Sequence, residues 1–93
     1  MTIDVGKLRD GSLAVISNEP FPGNVRHIEY YKEQRLFQII FDAPDTEPLL
    51  ITQELDPQGA RYAESAPDMM IVVMADGAEE PYGYEVPLVQ IGV

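Results

Sequence analysis

A chain of 93 residues, 45% of them hydrophobic and none of them cysteine, has room for a single domain with one core, and it excludes disulfides, thiolate metal sites and a cysteine nucleophile. Its net charge of −10 is unevenly placed: residues 1–37 hold five acids and five bases, whereas residues 38–93 hold eleven acids against Arg61 alone. A surface of that sign repels phosphate backbones, which argues against direct nucleic-acid binding, and its simplest service is solubility.

The chain opens on MTIDVGKLRDGS, with charge at Asp4, Lys7, Arg9 and Asp10 and no apolar run, so a signal peptide is not expected. No stretch approaches the roughly 20 apolar residues of a membrane helix, and the expected location is the cytoplasm. TIDV reads as a short first strand. Asp10-Gly11 is a strong hairpin signal, and SLAVIS after it places Leu13 and Val15 on one face and Ala14 and Ile16 on the other. NEPFPGNV reads as a loop, with Pro22-Gly23 suited to the centre of a type II turn.

VRHIEYYKEQRLFQIIFD is the clearest element, because Phe37, Ile39 and Phe41 alternate strictly with their neighbours. A turn centred on Glu33-Gln34 opposes Tyr30 to Phe37 and Ile28 to Ile39 on one face, and Tyr31 to Leu36, Glu29 to Gln38 and His27 to Ile40 on the other. A two-residue loop would force positive φ on Glu33 and Gln34, so a four-residue loop is the better reading. DAPDTEP is an acidic, proline-bounded turn and LLITQEL another strand. In DPQGARYAESAP, Asp56 is a good N-cap, Pro57 a good first helical residue, and Ala60, Ala63 and Ala66 recur every three positions, which predicts a short helix over about 57–65.

MMIVVMA, residues 69–75, is a strand without alternation. One face carries Met69, Ile71, Val73 and Ala75, the other Met70, Val72 and Met74, and both need a cover: one packs on the FQIIF hairpin, and the methionine-rich face is either plain core under the helix at 57–65 or the curled sheet, or is buried against a second chain. A loop opened by Asp76-Gly77 leads to YEVPLVQIGV, where Val86, Leu88 and Gln90 share a face and Pro87 predicts an edge or bulged strand. Residues 1–93 thus read as one mainly β domain: an antiparallel meander of six or seven strands forming a sandwich or small barrel, with one short helix near 57–65 and an α+β fold as the alternative.

Chemistry-bearing patterns are sparse. His27 is the only histidine, and no nucleophile elbow, triad, phosphate-cradling glycine loop or aromatic-basic RNA motif accompanies it. Asp42, Asp45 and Glu47 lie within six residues, the weak candidates for a metal site, but Pro44 and Pro48 interrupt any calcium-loop pattern and a solvated turn is the simpler reading. Asp76, Glu79 and Glu80 form a second acidic loop, and Tyr82 and Tyr84 flank Gly83, an aromatic pair that packs over a sheet end in the simpler reading and makes a binding edge in the other. No cofactor is implied and nothing gives positive support for an enzyme. The reading is a small acidic binding or interaction protein that self-associates or binds another protein, with Met70, Val72 and Met74 as the interface candidates. The alternatives are an enzyme or enzyme subunit joining His27 to the acidic loops, and an acidic regulator that occupies a basic surface of a partner.

Overall fold

Alternation in the sequence becomes alternation of burial. In the strand Leu36–Phe41, Phe37, Ile39 and Phe41 are buried while Leu36, Gln38 and Ile40 are only partly covered. A computed structural model describes residues 2–75 and 82–92, and within them the same logic builds seven strands and one helix. Strands β1 (Ile3–Lys7) and β2 (Leu13–Ser17) form an antiparallel hairpin. Its turn is held by Asp10, whose carboxylate accepts the Ser12 backbone N–H at 2.9 Å, and by Gly11 at φ +89°. Strands β3 (Val25–Tyr31), β4 (Leu36–Phe41) and β5 (Leu49–Ile51) form an antiparallel meander. The β3–β4 register is the one the sequence predicts, from His27 opposite Ile40 to Tyr31 opposite Leu36, across a four-residue loop whose positive φ falls on Arg35.

The third unit departs from the expected meander. Strands β6 (Asp68–Val73) and β7 (Tyr82–Ile91) pair antiparallel, but they enter between β2 and β3, giving the order β1-β2-β6-β7-β3-β4-β5. Their outer contacts are therefore parallel, β2 with β6 and β3 with β7, and the sheet is mixed rather than purely antiparallel. Each parallel pair joins strands far apart in the chain, so the residues between β2 and β6 and between β3 and β7, whole strands included, form the crossovers that parallel pairing requires. The most apolar strand of the chain thereby gains a hydrogen-bonded neighbour on each side.

Pro87 also sits elsewhere than expected. β7 is the central strand of the order, not an edge. Its residues up to Pro87 pair with β6, and those from Leu88 onward pair with β3, so the residue without an N–H stands where the strand passes from one neighbour to the other. The Leu88 N–H next to it is taken by the Pro67 carbonyl at 3.0 Å.

The curled sheet surrounds a core of Val5, Leu13, Val15, Ile28, Tyr30 and Phe37 together with Met69, Ile71, Val73, Val86 and Leu88. Helix α1 (Pro57–Ser65) plugs one end. Asp56 caps it by accepting the Gly59 N–H at 2.6 Å, a bond that holds its carboxyl below the usual aspartate range, and Ala60 and Ala63, with Ala66 just beyond, turn into the core. The Gln90 side chain ties the helix to β7 by donating to the Ala63 carbonyl. At the other end the loop after β2 lays Phe21 against Phe41, ring centroids 6.0 Å apart.

The gap between the two edge strands is spanned by a side chain. Past the three residues of β5, shorter than LLITQEL suggests, the Gln53 carboxamide accepts the Val5 N–H at 2.7 Å and donates to the Val5 carbonyl at 2.9 Å. It thus stands in for a peptide group of a neighbouring strand and brings the sheet close to a closed barrel. Gln53→Ala removes both bonds and leaves two backbone groups of β1 unpaired; urea unfolding is expected to show a loss of about 2 kcal/mol. An unchanged midpoint would mean that the edges are held without the carboxamide.

Candidate functional site

Cross-strand register decides what shares the outer surface, since directly opposed residues project to the same side. On the β1-β2-β6-β7 side the register aligns two rows facing away from the core. One runs Asp4, Ile16, Val72, Gly83; the other runs Gly6, Ala14, Met70, Glu85. The interface candidates Met70 and Val72 therefore lie at the centre of an outer apolar surface, with Met74 beyond them at 54% exposure. The opposite set, Met69, Ile71 and Val73, is core.

Glycines level this surface. A Cβ on Gly6 would stand 2.9 Å from Ile16 Cδ1, and one on Gly83 would stand 3.2 Å from Met70 Cε, so the long side chains lie down over the places where the glycines lack one. Gly83 has little freedom to change, because its Cβ would also come within 3.1 Å of the Ile71 carbonyl oxygen. The result is a low apolar platform: Ala14 is fully covered, and Ile16, Met70 and Val72 are half-buried.

At the α1 end the platform runs into a groove of about 430 Å³. Leu8, Leu13, Tyr62, Met69 and Met70 supply its apolar lining, and its charged lining is acidic throughout: Asp10, Asp68 and Glu85. The Asp10 carboxyl is held below its usual range by the Ser12 hydroxyl and N–H. Among the described residues no three of His, Asp and Glu come together in a way that could hold a metal ion, so these carboxylates border the groove rather than converge in it.

His27 belongs to a different patch. It shares the outer face of β3 and β4 with Glu29, Tyr31 and Gln38. Its Nε2 lies 3.3 Å from Glu29 Oε2, while the Tyr31 hydroxyl lies 2.9 Å from Glu29 Oε1 and 3.0 Å from Gln38 Oε1. The phenol has one proton to donate, so the set is best satisfied when the Gln38 carboxamide turns its NH2 toward the phenol oxygen. Both carboxylate oxygens of Glu29 are engaged, and the bond to Glu29 raises the Tyr31 phenol above its ordinary value. The histidine is thus joined to a carboxylate of its own strand.

Of the metal candidates, Asp42 faces Arg26 at 3.2 Å, and Asp45 and Glu47 are exposed in the turn between β4 and β5. Asp76, Glu79 and Glu80 lie outside the described residues. Tyr82 and Tyr84 line a second groove of about 510 Å³ with Pro20, Phe21 and Val25, and burial pushes the Tyr84 phenol up. No helix of the described residues is long and apolar enough to cross a membrane.

The chain matches no family model, no curated protein and no solved structure.

Sequence reasoning reached the methionine face but missed Gly6, Ala14 and Gly83, because their register with β6 joins distant segments. It also missed the acidic border. One signal was there: Asp68 has the same parity as Met70 and Val72 and so had to fall on their side. For the histidine patch, Glu29→Gln removes the negative charge beside Tyr31, and alkaline spectrophotometric titration is expected to show that phenol ionising at lower pH than in the wild type. An unmoved titration would mean that Glu29 is not its partner.

Proposed function

We propose that the protein is a non-catalytic interaction module that binds a protein partner through the outer face of β1, β2, β6 and β7. The observation that carries this reading is the platform of Ile16, Met70 and Val72, levelled over Gly6 and Gly83 with the sheet's own core already complete beneath it. A chain this small gains nothing for its own stability from leaving methionine and valine at the centre of an outer face, and flexible methionine surfaces suit binding. A cytoplasmic setting is part of the proposal, supported by a fold that closes without a disulfide. The enzyme alternative draws less support, because His27 lines neither of the two grooves described above.

Self-association through the same face is the second reading, favoured by Met74, which extends the apolar surface past the end of β6. The test of the face is a pair of substitutions one residue apart. Ile71→Glu places an unpaired charge in the core and is expected to abolish the cooperative melt, whereas Val72→Glu is expected to keep it. Light scattering across a wide concentration range then separates the readings: a mass of one chain supports a different partner, and a dimer that Val72→Glu dissociates supports self-association. A Val72→Glu protein that fails to fold would return this face to the core and end the proposal.

A further inference from the structure

The face described above has a chemical character beyond being apolar, and it selects among occupants. Resting on the reading of that face as an interface, we infer that its occupant is a basic amphipathic segment of another protein, with apolar side chains against Met70 and Val72 and lysines or arginines toward Asp4, Asp68 and Glu85.

The first ground is the sign of the border. Asp4 closes one row and Glu85 the other, while Asp68, opposite Pro87, stands one step along β6 from Met70 on the same side. All three are exposed. Where the platform meets the groove by α1, Asp10 joins Asp68 and Glu85, and no lysine, arginine or histidine contributes to the lining. The bases nearest in the chain are engaged or placed elsewhere: Lys7 lies 3.4 Å from Asp56 at the start of α1, the Arg61 Nε lies against the Pro57 carbonyl, and Arg9 is outside the lining. An apolar centre bordered by one sign of charge is complementary to an apolar stripe flanked by the other.

The second ground is that this border disfavours a second copy. A two-fold contact places the same patch on both sides, so Asp4, Asp68 and Glu85 would crowd those of the partner around one interface. Juxtaposed like charges suppress such pairings, whereas a cationic segment is drawn to the site over a Debye length of about 8–10 Å.

The third ground is size. Four strands at about 4.8 Å spacing make a platform roughly 14 Å across. A single helix is about 10–12 Å wide with its side chains, so one helix lies on the platform and leaves its flanks over the acids.

The test uses defined probes. A fluorescent synthetic helix with leucines at i, i+3, i+4 and i+7 flanked by lysines is titrated with the full protein, alongside the same peptide with glutamate for lysine and with serine for leucine. The leucine–lysine peptide is expected to bind saturably and the other two to bind at least about tenfold more weakly, with affinity falling as salt rises. Asp68→Lys with Glu85→Lys is expected to weaken binding about tenfold, and Asp45→Lys with Glu47→Lys, the same change of net charge in the β4–β5 turn, to leave it within about twofold. Thermal melts confirm that each variant is folded. Equal losses in the two double variants would reduce the effect to bulk charge and overturn the inference, as would equal binding of the glutamate peptide. A wild-type dimer dissociated by Val72→Glu, with no peptide bound, would give the face to a second copy. Undiminished binding by Val72→Glu would instead remove the face itself, and with it the reading on which the inference rests.

Discussion

β6 is apolar on both faces, and a barrel has only one inside. That constraint orders the rest of the structure. Met69, Ile71 and Val73 take the inside, where the aromatic residues of β3 and β4, the alanines of α1 and the side chains of β2 and β7 complete a core. A strand that contributes this much to the core is best placed between neighbours, and the β6–β7 pair enters between β2 and β3. Parallel contacts on either side follow from that insertion. Met70 and Val72 are left facing out by the same alternation.

Closure and exposure are thus two consequences of one arrangement. The inner face is shut by devices that cost few residues: a helix of nine residues, one phenylalanine from a loop, and the carboxamide of Gln53 in place of a further strand. The outer face is finished differently. Glycine and alanine flank the methionine and the valine, and the long side chains lie flat instead of being covered. The glycine beside β6 is held in place by the backbone of Ile71, so the level surface is built into the strand pairing. The histidine patch on β3 and β4 shows the contrast: there the outer face is occupied by hydrogen-bonded polar groups that satisfy one another.

Local structure was legible in the sequence wherever one short segment held the whole signal. The β3–β4 register follows from Phe37, Ile39 and Phe41 alternating against Ile28 and Tyr30 across a short loop, and the helix at Pro57–Ser65 follows from Asp56, Pro57 and the spaced alanines. Strand order was not legible. Hairpin order is the default for strands joined by short turns, and nothing in residues 18–24 states that two strands from the end of the chain will come between β2 and β3. Pro87 misled for a related reason: a residue without an N–H signals an unpaired position, and a change of partner within a central strand offers one as well as an edge does. The platform lay beyond sequence reading because Gly6, Ala14 and Gly83 acquire their meaning only through that order, whereas the doubly apolar character of residues 69–75 was visible at once.

The division of β6 into an inner and an outer face is tested most directly by its own methionines. Dilute native protein is treated briefly with hydrogen peroxide, and each site is followed by mass spectrometry. Met70 and Met74 are expected to oxidise well ahead of Met69, which is 2% exposed. Oxidation of Met69 as fast as its neighbours, or equal protection of all three in the dilute single chain, would contradict the account.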